Sequence, residues 1–250
     1  MKVLLKTNKE IETMAEGGRI LKTVADEVVT YIKPGVTTNE IDAIADKLIS
    51  KNGAEASFKK VRGYNWATCL PVNEQAVHTP PSSRTLKIGD IVTLDIGVYY
   101  RGFHTDYAVT VAVGKVDDRV TKFLETGKET LEKAITMVKN DEYLGTVSKF
   151  VQTEVESNGY FILKDLTGHG IGRSLHEDPY VLNYLDREVE KTYKIRSGLV
   201  IALEIIYSIG TEQIAYEQDN HWSIVAADRS LAACFERTIA VSDKKTFILT

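Results

Sequence analysis

The sequence predicts an α+β fold in which the order helix, helix, strands occurs twice. Three observations lead there. Two capping-box patterns, Thr7-Asn-Lys-Glu10 and Thr37-Thr-Asn-Glu40, each open a stretch with apolar residues at helical spacing. A long segment rich in β-branched and aromatic residues follows them. The same succession then returns after Asp117, although residue identity does not repeat at a fixed period, so the chain is not a solenoid.

Taken in order, the first helix runs to about Ile32, ahead of Lys33-Pro34-Gly35, and the second ends near Asn52-Gly53, where a glycine can cap the helix in the left-handed region. Ile91 to Val113 reads as two strands joined by Arg101-Gly102, a hairpin. Two further helices are expected over 117–139 and 143–158, the second closed by Gly159. Strands follow around Leu199 to Tyr207, Phe235 to Val241 and Phe247 to Leu249. With five prolines and no glycine- or serine-rich linker, residues 1–250 are expected to form a single domain.

The composition is that of an ordinary soluble globular chain: 43% hydrophobic, 26% charged, and no run approaching the ~18 apolar residues of a membrane span. A net charge of -4 without a basic patch argues against broad nucleic-acid or anionic-membrane binding. The first residues hold too short an apolar stretch for a signal peptide, which points to the cytoplasm. Cys69 and Cys234 read as free thiols, since they lack the CxxC spacing of a zinc knuckle.

Function is carried by four carboxylates and a histidine, Asp95, Asp106, His169, Glu204 and Glu236, set in apolar, strand-like surroundings. An isolated carboxylate there costs tens of kcal/mol by idealised Born estimates, so it protonates or finds a cation. No matching set of buried lysines or arginines is evident, and bound metal is the simplest compensation. If Arg101-Gly102 closes a two-residue hairpin, Tyr100 pairs with Phe103 and Gly97 lies opposite Asp106. Asp95 and Asp106 are then diagonal neighbours on one face, with Cβ atoms roughly 7 Å apart. Gly97 is expected to leave room beside Asp106. A one-residue slip would send the two aspartates to opposite faces.

Glu204 is the one charge in Leu199 to Tyr207, and Glu236 interrupts Leu231 to Val241. Each could instead face solvent from an edge strand, at about even odds taken alone. Arg237 is a poor partner for Glu236 because adjacent strand residues point to opposite faces. His169 lies in Thr167-Gly-His-Gly-Ile-Gly172, a glycine-rich stretch read as a loop, in which a histidine serves structure about as often as it binds a ligand. The Gly-x-Gly-x-Gly spacing is a weak nucleotide signal, since the rest of a dinucleotide fingerprint is missing. His78 and His176 could contact substrate or be ordinary surface histidines. Oxygen donors with one imidazole favour Mn, Fe, Co or Zn, and four carboxylates balance two divalent ions, a recurring device for activating water.

The ordered set Asp95, Asp106, His169, Glu204, Glu236, with Gly168-His-Gly-Ile-Gly172, His176-Glu-Asp-Pro179 and Gly102-Phe-His-Thr-Asp106, resembles the pita-bread metallopeptidases, most closely their type I methionine aminopeptidases. The likeness spans nearly the whole chain. It implies the pita-bread fold, with pseudo-twofold duplicated halves around a curved antiparallel sheet. It also implies an aminopeptidase that removes the N-terminal methionine of nascent proteins through water activated by two metal ions. By this resemblance Asp95 binds one metal, Asp106 and Glu236 bridge both, and His169 with Glu204 completes the second. Glu204 shuttles the proton, while His78 and His176 hold the scissile peptide and stabilise developing charge. Tyr64, Cys69, Leu175 and Trp222 line the pocket for an unbranched thioether side chain, and His78 and His176 flank it.

Thr79, Leu175, Ile205 and Arg237 depart from the family's usual glycine, phenylalanine, proline and histidine, and the stretch from Tyr64 to Cys69 is short. A monomer with transient ribosome association is the expected state. The rivals are an Xaa-Pro peptidase of the same fold, which usually carries an additional N-terminal domain, and a non-catalytic peptide-binding relative, which usually loses ligands.

Overall fold

The computed structural model describes residues 3–218 and 220–250. Both capping boxes close as the sequence indicates. Thr7 N–H donates to Glu10 Oε2 at 2.8 Å and Glu10 N–H to Thr7 Oγ1 at 3.3 Å, opening α1 (Asn8–Val29). Thr37 and Glu40 repeat the exchange at 2.7 and 3.3 Å to open α2 (Thr38–Lys51). Helix α1 stops three residues short of Ile32: the amides of Thr30, Tyr31 and Ile32 bond three residues back instead of four, a tightening into Lys33-Pro34.

Short strands β1 (Glu55–Ala56), β2 (Thr68–Cys69) and β3 (Gln75–Val77) precede the hairpin of β4 (Ile91–Tyr100) and β5 (Phe103–Ala112). Helices α3 (Asp118–Met137), capped by Asp117 on the Val120 N–H, and α4 (Leu144–Ser157) open the second half. Then come β6 (Phe161–Ile162), β7 (Thr167–Gly170), β8 (Glu177–Leu182), β9 (Val200–Ser208), β10 (Ile214–Glu217), β11 (Asn220–Ala226), β12 (Ala232–Val241) and β13 (Thr246–Ile248).

The main sheet runs β1-β4-β5-β12-β9-β7-β8 with every pairing antiparallel, and β2, β6 and β13 join β4, β9 and β12. Its centre is the seam between β5 of the first half and β12 of the second. Backbone pairing there covers only Glu236 with Ala108 and Arg237 with Tyr107. Thr238 extends the seam with its side chain, as its Oγ1 accepts the Asp106 N–H and donates to the Asp106 carbonyl, both at 2.8 Å. A second sheet, β10-β11-β3, carries Trp222.

Alternation along the strands decides what meets the helices. Leu94, Ile96 and Val98 of β4 pack with Leu21, Val28 and Ile41 beneath α1 and α2. Leu203, Ile205 and Tyr207 of β9, with Phe235 and Ile239 of β12, pack beneath α3 and α4. Asp95, Asp106, Glu204 and Glu236 therefore all face the other side. Neither β9 nor β12 is an edge strand, which removes the solvent-facing reading of the two glutamates. Among the described residues no helix is long and apolar enough to cross a membrane.

Candidate active site

The hairpin register is the expected one: Tyr100 pairs with Phe103, Gly97 with Asp106 and Asp95 with Ala108. Arg101 and Gly102 both take positive φ, +47° and +89°, as a two-residue turn matched to strand twist requires. Gly97, however, does not leave open space. A Cβ there would meet Ser57 Cβ at 2.7 Å and Phe58 Cε1 at 2.9 Å, so the missing side chain admits Ser57 and Phe58. Phe58 in turn lines the cavity.

From the other half, Glu236 stands directly opposite Glu204 in the β12–β9 ladder. His169 is not in a loop but on β7, paired with Ala202 of β9. Its flanking glycines are demanded by backbone: a Cβ on Gly168 would lie 2.4 Å from the Ala202 carbonyl oxygen, and one on Gly170 would lie 2.2 Å from that of Asp178. One ligand atom from each of Asp106, His169 and Glu236 lies within 4.8 Å of the others. His169 Nε2 is 3.4 Å from Glu204 Oε1, and Asp95 completes the set across the β4–β5 ladder.

Burial sets the electrostatics. It raises the Asp95 carboxyl to about 7. Burial first, then the charge of Asp95, holds Asp106 well above the carboxylate range. Glu204 and Glu236 are raised by burial and by the neighbouring carboxylates. Burial, with His176 close by, drops His169 to about 3 and His78 to about 4, and burial lowers His176 as well. His169 is therefore neutral, and its Nδ1 lies 2.8 Å from the Gly170 carbonyl. That carbonyl can only accept, so Nδ1 carries the proton and Nε2 turns a lone pair on Glu204.

This arrangement fits a cation. Among the described residues Glu236 Oε1 is buried without a hydrogen-bond partner, the His169 Nε2 lone pair lies 3.4 Å from Glu204 Oε1, and four carboxylates share one enclosure. Arg237 does not neutralise them: it points to the helix side, its guanidinium 4.4 Å from the Tyr107 ring centroid.

A cavity of about 110 Å³ opens beside the acidic group, lined by Tyr64, Cys69, His78, Leu175, His176 and Trp222 together with all five ligand-type residues. Every site residue singled out in the sequence thus reaches one enclosure. Tyr64 meets Trp222 edge-on at 5.2 Å and its hydroxyl lies 3.1 Å from Cys69 Sγ. His169 and His176 lie ring to ring at 4.4 Å.

Sequence reading passed over Phe58 and Val61, which also line the cavity and sit in a 3-10 turn and its exit, without periodicity. It also passed over an ion pair behind the histidines. Lys6 Nζ reaches Glu177 Oε2 at 2.6 Å with both side chains 5% exposed, and Glu177 Oε1 accepts the Ser174 N–H at 3.0 Å. Only the fold brings these residues together, across 171 positions of chain.

A duplicated antiparallel sheet with helices on one face and an acidic, imidazole-bearing pocket on the other is the pita-bread arrangement of metal-dependent peptidases. The chain belongs to metallopeptidase family M24, which residues 12–243 match. It is 38% identical over 248 residues to methionine aminopeptidase 1 of Bacillus subtilis, covering 99% of each chain. The solved methionine aminopeptidase of Thermotoga maritima superposes with a TM-score of 0.96 at 37% identity, over 100% of this chain and 99% of that one. An Xaa-Pro dipeptidase from Bacillus anthracis shares the fold, with a TM-score of 0.78 at 22% identity, but 99% of this chain covers only 62% of that one.

Proposed function

We propose that the protein is a metal-dependent aminopeptidase of residues 1–250 that removes the N-terminal methionine from nascent proteins and peptides. The observation that carries this reading is the joining of five ligand-type residues to one cavity walled by Tyr64, Cys69, Leu175 and Trp222. Full-length similarity to methionine aminopeptidases supports the choice of substrate.

Asp95 would hold one divalent ion, Asp106 and Glu236 two in common, and His169 with Glu204 the second, with Mn, Fe, Co or Zn suited to these donors. The ions, when bound, supply Lewis-acid activation of water and of the first peptide carbonyl. Glu204 accepts a proton from the attacking water and returns it to the departing amine. His78 and His176, kept neutral by burial, donate to the scissile peptide and to the charge that develops on its oxygen. Tyr64, Cys69, Leu175 and Trp222 take the methionine side chain, whose thioether packs well on aromatic and sulfur groups. The protein works as a cytoplasmic monomer that meets its substrates at or near the ribosome, without direct nucleic-acid or membrane contact.

Purified protein loaded in turn with Mn(II), Fe(II), Co(II) or Zn(II) and offered peptides beginning Met-Gly, Leu-Gly and Ala-Pro should release methionine with at least one of them, and Asp106→Ala should not. Proline-dependent cleavage would replace this reading with the Xaa-Pro one. Absence of turnover with any of the four metals would mean a peptide-binding protein.

A further inference from the structure

Asp42 lies on α2, outside the cavity, and one oxygen of its carboxylate organises the cavity's wall. Its Oδ1 accepts the Ala67 N–H at 2.9 Å, the Thr68 N–H at 2.9 Å and the Thr68 hydroxyl at 2.8 Å. Three donors on one partly buried oxygen are bonds to a charged acceptor, stronger than neutral ones. Burial raises the Asp42 carboxyl while these bonds and nearby Lys59 act to lower it.

After Cys69 the chain is tied by the Leu70 N–H to the Thr79 carbonyl at 2.8 Å and by the Thr93 N–H to the Pro71 carbonyl at 2.9 Å, whereas at Ala67 and Thr68 the amides go to Asp42. Strand β2 is two residues long and pairs with β4 only at Thr68–Ile96 and Cys69–Asp95. The Tyr64 hydroxyl donates to the Thr68 carbonyl at 2.8 Å and lies 3.1 Å from Cys69 Sγ, so the wall formed by Tyr64 and Cys69 is referred to the position of Thr68. A shift of Thr68 would move both lining side chains, and with them the Tyr64–Trp222 contact, while leaving β5, β9 and β12 untouched.

We propose that Asp42 is a positioning residue for side-chain selection: it fixes the distance between the Tyr64–Cys69 wall and the rest of the cavity. This rests on the aminopeptidase reading and deepens it. Losing bonds to a charged acceptor should appear in binding of the side chain rather than in the chemical step, so Asp42→Ala should raise KM for a Met-Gly-Met-Met peptide by about tenfold, with kcat within about threefold. The preference in kcat/KM for methionine over leucine at the first position should narrow by about tenfold. Asp42→Asn keeps an acceptor oxygen and should hold KM within about threefold of the parent. Thr68→Val removes one donor and should raise KM about threefold, which keeps the proposal testable if Asp42→Ala does not fold. Product methionine, titrated calorimetrically into each metal-loaded protein, should weaken in the same order. The parent protein separates the two ideas: no methionine release from it overturns the aminopeptidase reading and this proposal together. Release by the parent with unchanged KM, selectivity and methionine binding in Asp42→Ala and Thr68→Val overturns the role of Asp42 alone.

Discussion

Replacing Lys6 with methionine tests how the stretch between β7 and β8 is held. That stretch carries Leu175 and His176, and Glu177 follows directly. The Lys6 stem lies against Gly172, where an added Cβ would meet Lys6 Cε at 2.4 Å, and methionine preserves most of that stem. What disappears is the ammonium 2.6 Å from Glu177 Oε2, leaving a carboxylate that is 5% exposed with only the Ser174 N–H for company. Breaking a buried pair from one side costs about 3–5 kcal/mol, because the remaining charge is uncompensated. For a chain of this length that corresponds to a fall in Tm of about 6–20 °C. Urea unfolding of chelator-treated protein is the assay, since bound metal would add its own linkage. Lys6→Met with Glu177→Leu removes both charges and should recover all but about 1 kcal/mol. A single variant within about 1 kcal/mol of the parent, or a double variant no better than the single, would refute the reasoning.

Gly97→Ala forces a Cβ to within 2.7 Å of Ser57 and 2.9 Å of Phe58, and should cost about 1–3 kcal/mol in denaturant unfolding and lower kcat/KM through displaced Phe58. Arg237→Ala loses a cation–π contact on the helix side, so stability should fall by about 1 kcal/mol while kcat/KM with metal loaded stays within about twofold. The metal-free protein should lose stability as pH rises from about 6.5 to 8, read as Tm in the presence of a chelator. The folded state keeps protons on Asp95 to about 7 and on Asp106, Glu204 and Glu236 higher still, so stability is full below their unfolded values and is lost as pH climbs through the folded ones. The buried histidines, lowered by burial, act in the opposite sense, but only below their ordinary value of about 6.5. A flat or rising Tm across that window would be inconsistent, and saturating metal should reverse the slope by replacing protons.

Local signals were legible and distant ones were not. The capping boxes and the hairpin register depend on residues 3 to 21 positions apart, where turn chemistry and alternation leave little choice, and this sufficed to place Asp95 and Asp106 on one face. Glu204 and Glu236 were visible as lone charges in apolar strands, but their direct opposition depends on the β9–β12 register, which no turn specifies. His169 read as a loop residue because glycine is depleted from strands, whereas here close backbone approach to Ala202 and Asp178 selects glycine within one. The strands β1, β2, β3, β6, β7 and β10 were missed because two to four residues cannot show a period, and β8 and β11 because they open on Glu-Asp-Pro and Asn-His, which read as turn. Asp42 and the Lys6–Glu177 pair look like ordinary surface charges until the fold supplies their partners.

The seam between β5 and β12 has a consequence for how such a chain is made. Asp95 and Asp106 leave the ribosome early, on a hairpin that α1 and α2 can cover by themselves. His169, Glu204 and Glu236 come later, and Glu236 faces Asp106 only once β12 has docked. A chain synthesised only through β5 therefore offers Asp95 and Asp106 without His169, Glu204 or Glu236. Assembly of the proposed metal site is in this way timed by translation: its five ligand-type residues come together only after β12 has emerged.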